Sequence, residues 1–348
     1  MAQSPVIFGC RSPTLGAWER DFFADADPVG FILFRESCQT PDQVKALVDD
    51  FRACVGRDDA PVLVDQEGGR VQRLGPPHWR AAPPALRIGE LAGRDPDKGR
   101  EAAGLDARLL GAELADVGIS VDCAPVLDLL RPETHDVIGD RAFGADPDLV
   151  TDLGRAFCGG LLAAGVAPMI KHMPGHGRAT ADSHHDLPHV AAGVEDLTAS
   201  DFAPFRRLAD APWAVTAHIV FEAIDPGHPA TVSAKVISEV IRGAIGFKGV
   251  VVSDDLSMEA LSGSLGERAT AALSAGCDLV LHCSADPDEM SEVAGAVGTV
   301  SAVAEERLAR ALACVPTHPA PLGGDEREAM TARLDTLLGE AKRSGDGR

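Results

Sequence analysis

Five of the eleven histidines fall between residues 172 and 189: His172, His176, His184, His185 and His189. Imidazole is the usual proton carrier near neutral pH. Pro174-Gly175 and Gly177 interrupt regular structure in this stretch, so an irregular loop carries these rings. Asp182 stands two residues before His184, and in an extended loop both side chains lean to one side. A carboxylate that accepts from one ring nitrogen fixes the tautomer and raises the imidazole's basicity. Asp182 with His184 is therefore a candidate acid/base dyad. The second reactive group is Asp254. It follows the apolar run Val250-Val251-Val252-Ser253, which would hold its carboxylate rigidly, as a nucleophile requires.

These groups need a scaffold, and short apolar runs alternate with longer amphipathic stretches along the chain. Eight candidate strands stand out: 6–10, 30–34, 62–65, 120–124, 167–171, 213–217, 249–253 and 278–282. Most are β-branched or apolar on both faces, as strands buried on both sides are. Helical patterns lie between them, over 41–54, 102–117, 146–163, 233–244 and 258–275. Strand then helix, repeated about eight times, predicts a (β/α)8 TIM-type barrel in the α/β class. An open doubly wound sheet is the alternative. It would want a phosphate-binding fingerprint after the first strand, and Cys10-Arg11-Ser12-Pro13 is not one.

A barrel interior is filled with side chains, so chemistry gathers at the C-terminal strand ends. Those ends carry Asp65, Gln66 and Glu67 after the third strand, Asp128 after the fourth, and Lys171-His172 at the fifth. His218, Asp254-Asp255 and His282 end the sixth, seventh and eighth. Residues 66–119 are too long for a plain crossover and contain Pro76-Pro77 and Pro83-Pro84, which predicts an excursion over the mouth. We expect residues 1–315 to form the catalytic barrel. Residues 316–348 then add a linker, an amphipathic helix over 327–342 with Met330, Leu334, Leu337 and Leu338 on one face, and a polar tail.

Composition narrows the partners. Thirty-two basic against 53 acidic residues give a formal charge of −21, and no cluster of Lys and Arg forms a stripe for a phosphate backbone, so nucleic acid is not an expected partner. No apolar run reaches the length of a membrane span, and no membrane partner is expected. The eight cysteines are scattered, with no CxxC pair, which suits buried reduced thiols in a cytoplasmic protein. The absence of a charged-then-apolar opening segment points the same way. We expect no cofactor and no metal.

A nucleophile paired with a separate proton donor is what a retaining glycosidase needs, with about 5–5.5 Å between the groups in the usual two-carboxylate form. Here His184 would stand in for one carboxylic acid, brought up by its loop. Arg73, Arg141, Lys171 and His172 would then donate to sugar hydroxyls, and Asp65 would accept from two of them. The segments VGFILF (29–34), VDQEGGRVQRL (64–74), IGDRAF (138–143), KHMPGHG (171–177), DSHHDLP (182–188), TAHIVFEAIDP (216–226), PATVS (229–233) and GFKGVVVSDDLSM (246–258) together resemble glycoside hydrolase family 3, in its single-domain β-N-acetylhexosaminidases. They follow family order up to about residue 285. The resemblance implies a (β/α)8 barrel and a carbohydrate substrate. By motif it carries the nucleophile to Asp254, the acid/base dyad to Asp182 and His184, and substrate contacts to Asp65, Arg73, Arg141, Lys171 and His172. It further implies removal of N-acetylglucosamine from 1,6-anhydro-N-acetylmuramic acid in peptidoglycan recycling. Met173 and Arg35-Glu36-Ser37 depart from the family pattern.

Other readings stay open. Within the family these are a β-glucosidase, or an N-acetylglucosaminidase that uses phosphate instead of water. A metal-dependent barrel hydrolase could draw on His172, His176, His184, His218 and Asp254, although no His-x-His marks the first strand. A non-catalytic sugar-binding barrel predicts loss of one of the reactive groups, and all are present.

Overall fold

The computed structural model describes residues 3–183, 185–315 and 321–343. Eight parallel strands close into a barrel: β1 (Ser4–Cys10), β2 (Pro28–Leu33), β3 (Val62–Val64), β4 (Val121–Asp122), β5 (Ala167–Met173), β6 (Trp213–Thr216), β7 (Val250–Asp255) and β8 (Leu279–His282). Each strand pairs with the next in sequence, and β8 pairs back onto β1 through Val6 with Val280. The expected (β/α)8 barrel is what the chain forms.

Alternation along the strands builds two cores. Ile7, Ile32, Leu63, Val121, Met169 and Val252 point inward and fill the barrel. Their neighbours Val6, Phe31, Val62, Ile170, Val251 and Val280 point outward against the helices. Below the strands, helix α10 (Ala302–Ala313) adds Ala304, Leu308 and Ala311 to the inner cluster, while the Val300 N–H bonds to the Gln3 carbonyl. The barrel's N-terminal end is thus packed shut by a helix.

The other helices are α1 (Ala17–Ala26), α2 (Pro41–Val55), α3 (Ala85–Ala92), α4 (Pro96–Asp116), α5 (Pro147–Ala164), α6 (Val194–Ala199), α7 (Ala203–Arg207), α8 (Leu265–Ala275), α9 (Pro287–Ala296) and α11 (Gly324–Arg343). Helix α4 begins earlier than its apolar pattern suggests. Asp95 caps it by accepting from the Lys98 N–H, and Pro96 occupies the first turn. Conversely, α8 begins seven residues after Met258. Gly263 has φ +89°, outside the right-handed region, and Ser264 then caps the helix in a capping box with Glu267. Residues Val236–Ala244 are wound as a π-helix. The excursion after β3 starts as a hairpin, Gln66–Gly68 against Val71–Gln72, and ends in α3.

Helix α11 lies against α3 and α4. Leu334, Leu337 and Leu338 are buried there, and Arg333 pairs with Glu101. Leu337→Ala should therefore cost about 2–5 kcal/mol of folding stability, the usual loss for a fully buried leucine. Urea unfolding checks this. A loss under about 0.5 kcal/mol, the range of surface substitutions, would mean that the helix does not pack in solution as described.

Candidate active site

The C-terminal ends of the strands surround a pocket of about 330 Å³. Ile32, Val215, Leu281, Cys123 and Cys283 supply its apolar lining, and Asp65, Arg73, Arg141, Lys171, His172 and Asp254 its polar one. Six sequence-predicted residues from three strand ends and two loops thus meet in one cavity.

The densest interactions there are ionic. Lys171, at the end of β5 and almost fully buried, donates to Asp65 Oδ1 at 2.7 Å and approaches Glu67 Oε1 at 2.6 Å. Arg73 Nη2 donates to the other Asp65 oxygen at 2.9 Å. Arg141 grips Glu67 with two parallel bonds of 2.8 Å and gives a third to the Val137 carbonyl at 3.0 Å. Each of these three cations, expected to donate to a ligand, is also paired with a carboxylate. Capacity nevertheless remains. A guanidinium has five N–H groups and an ammonium three, so Arg141 and Lys171 keep donors beyond these bonds.

The charges hold one another in place. Burial pushes the Glu67 carboxyl up, but Arg141 and Lys171 outweigh it and hold it at about 2. Burial likewise opposes ionisation of Asp65, and Lys171 with Arg73 keeps it well below the usual carboxylate range. Burial works against the Lys171 ammonium, and Asp65 and Glu67 more than restore it. Removing one partner of such a buried set typically costs about 3–5 kcal/mol.

His172 follows Lys171 across a cis peptide bond. Its Nδ1 lies 2.7 Å from Asp128 Oδ2, and its backbone N–H also faces the Asp128 carboxylate. The His176 N–H donates to Asp128 Oδ1 at 2.7 Å. Asp128 is fully buried, so one carboxylate ties the strand end to the start of the histidine loop and leaves His172 Nε2 as the ring nitrogen not bound to it. His176 Nε2 in turn lies 3.3 Å from Ser183 Oγ. The loop base is anchored further by Thr134, which donates to the Gly177 carbonyl, and by Arg178, which pairs with buried Asp201 at 2.7 Å. A Cβ at Gly177 would stand 2.0 Å from the Leu129 carbonyl oxygen, so only glycine lets the loop pass there.

Farther along, the loop departs from expectation. The Asp182 carbonyl accepts from the backbone N–H of both His185 and Asp186, so the chain turns there instead of running extended. Asp182 is half-buried and is not among the pocket-lining residues. His184 lies outside the described residues. The remaining histidines divide: His172 and His176 are buried, whereas His185 and His189 are exposed.

Asp254 ends β7 at the pocket wall. Its Oδ1 accepts from the Asp255 N–H at 2.9 Å. Burial pushes this carboxyl up, but His172, His218, the Asp255 N–H and Lys171 together hold it below the ordinary value, so it is ionised at neutral pH. Asp255 lines the pocket as well, while His282 is fully buried and does not. Among the described residues, no group of three His, Cys, Asp or Glu side chains is arranged to hold a metal ion.

The strand-end pattern puts Glu67, Asp128 and His218 at the mouth but gives the two carboxylates no role, and His218 one only in the metal-dependent alternative. For Glu67 a signal exists, since it stands two residues from Asp65 and so shares its side of an extended segment. For Asp128, 44 residues before His172, no local signal exists.

His176 generates a pH expectation. Burial pushes its imidazole down from an ordinary value of 6.5 to about 4. The unfolded chain therefore binds a proton that the folded chain refuses between these two values, and stability falls as pH drops through that window. The slope from this ring is about 1.4 kcal/mol per pH unit. Denaturant unfolding at pH 7.5 and 5.0 should show the loss, and His176→Gln should flatten it. An unchanged slope in that variant would contradict a buried neutral His176.

Residues 18–317 match the Glycosyl hydrolase family 3 N terminal domain. A Beta-hexosaminidase from Alkalilimnicola ehrlichii is 40% identical over 314 residues, covering 89% of each chain. Another from Bordetella avium is 39% identical over 317 residues, covering 89% of this chain and 88% of its own. Among solved structures, NagZ from Neisseria gonorrhoeae in complex with N-trifluoroacetyl-D-glucosamine aligns with a TM-score of 0.85 at 32% identity, over 98% of this chain and 99% of that one. The motif order, the closed barrel and these likenesses lead to one assignment: the chain belongs to glycosyl hydrolase family 3.

Proposed function

We propose that this glycoside hydrolase is a retaining β-N-acetylglucosaminidase that removes terminal β-linked N-acetylglucosamine. One observation carries the reading. The ionised Asp254 at the end of β7 faces the same pocket as the Asp65–Lys171–Arg73 and Glu67–Arg141 pairs, a polar wall suited to sugar hydroxyls. The likeness to proteins named Beta-hexosaminidase, and to NagZ with a glucosamine derivative, supports the choice of sugar.

In the first step Asp254 attacks the anomeric carbon. The bond to the leaving oxygen breaks as His184 gives that oxygen a proton. In the second, His184 takes a proton from water, whose oxygen displaces the Asp254 carboxylate, so the β configuration returns. Asp182 orients His184. Asp65, Arg73, Arg141, Lys171 and His172 bind the sugar. The bond between His176 and Ser183 supports this arrangement, because it ties the residue next to the proposed acid to a residue beside the pocket. The aglycone in this reading is 1,6-anhydro-N-acetylmuramic acid from peptidoglycan recycling in the cytoplasm, as the motif resemblance suggests. We assign the catalytic unit to residues 1–315. Residues 316–348 serve as a packing appendage, which the burial of α11 against α3 and α4 supports.

Asp254→Ala should abolish hydrolysis of an aryl N-acetyl-β-glucosaminide while the fold persists. Near-normal turnover in a folded variant would sink the nucleophile assignment. His184→Ala should spare substrates with good leaving groups in the first step and penalise poor ones, and equal loss for both would count against a proton donor. Comparison of matched aryl N-acetylglucosaminide and aryl glucoside, with the anomer of the first product recorded, tests sugar and mechanism together. A preference for the glucoside overturns the former, an inverted product the latter.

A further inference from the structure

Three fully buried polar side chains stand behind Asp254 with no access to the pocket: Thr216 at the end of β6, His218 just after it, and Thr231 in the turn that follows. A buried polar group left unsatisfied is costly, so their bonds must close. His218 Nε2 lies 3.0 Å from the Asp255 carbonyl oxygen, an atom that can only accept. Nε2 therefore carries a hydrogen. In the neutral ring Nδ1 is then an acceptor. Thr231 Oγ1 has two acceptors in reach, this Nδ1 at 2.7 Å and the Ala217 carbonyl oxygen at 3.2 Å, and gives its one hydrogen to the nearer, while Thr216, 2.8 Å from Thr231, donates in turn. The hydrogens run in one direction, from Thr216 through Thr231 and His218 to the Asp255 carbonyl.

That carbonyl belongs to the residue whose N–H holds Asp254 Oδ1. Asp255 is fixed on its side-chain face too, where Oδ1 accepts from the Cys283 and Ser257 N–H groups at 3.0 and 3.1 Å. Backbone and side chain are thus clamped from β6, β8 and the turn after β7 at once, and the output of the clamp is the orientation of one carboxylate.

We propose that His218 is a positioning residue for Asp254, acting through the Asp255 carbonyl with its tautomer locked by Thr231. The inference rests on the reading of Asp254 as the nucleophile. Nothing in it requires His218 to touch the substrate. Substrate binding should therefore be little affected, and the chemical step should suffer.

The test uses the full chain and an aryl N-acetyl-β-glucosaminide. His218→Ala should lower kcat roughly 10- to 100-fold, the scale of a small misplacement of a reacting group, with KM within about twofold. His218→Gln, whose amide can still donate to Asp255, should recover most of that loss. Thr231→Val should lower kcat about fivefold, the effect of one neutral hydrogen bond, and serves as the independent arm if His218→Ala does not fold. An unchanged kcat in folded His218→Ala, or in Thr231→Val, overturns the proposal, as does a loss carried by KM. A second measurement separates positioning from general damage. Asp254→Gly should regain turnover with azide, forming the α-glycosyl azide. Adding His218→Ala to that variant should leave the azide-dependent rate unchanged, because there is no carboxylate left to position. If azide restores nothing, the nucleophile reading falls and the inference with it. If azide works but His218→Ala lowers the rescued rate as much as it lowers the parent's, the inference alone falls.

Discussion

A positive charge buried at the end of a strand constrains this barrel mouth. Lys171 is nearly inaccessible, and an ammonium in that position is tenable only with compensating charge. Asp65 and Glu67 provide it from the end of β3 and the hairpin that follows, with only β4 between that strand and β5. Two carboxylates around one ammonium leave an excess of negative charge, and Arg73 and Arg141 more than offset it. The hairpin after β3, the turn that carries Arg141 and the end of β5 are locked into one charge pattern.

The barrel itself was legible because its signal is periodic. Eight apolar runs separated by amphipathic stretches survive errors of a few residues at each boundary, and those errors occurred. Where a boundary depends on one backbone angle or one cap, the apolar pattern misleads. The stretch from Met258 looks helical by hydrophobicity, yet Gly263 and Ser264 delay α8 to Leu265. At α4 the reverse happened, because Asp95 and Pro96 start the helix ahead of its apolar face.

The site divides along similar lines. Residues that are polar at the end of an apolar strand, such as Asp254 and Lys171, announce themselves locally. Residues whose meaning is a partner far away in sequence do not. Asp128 is a loop aspartate until His172 and His176 are seen to share its two oxygens. Arg141 is a surface arginine until Glu67 is seen beside it. The turn at Asp182 is of this second kind, set by backbone hydrogen bonds that no residue type there demands. Sequence supplies the reactive groups, whereas the pairings that hold them still are properties of the closed barrel.

Helix α10 beneath the strands has a consequence for traffic. The inner cluster of Ile7, Leu63, Met169 and Val252 runs down to Leu308 and Ala311, so among the described residues the barrel axis is solid below the pocket floor. A long polymer cannot thread through such a vessel. Whatever enters the pocket must back out the way it came. The floor thereby acts as a ruler: it sets how deep any group entering from the mouth can reach.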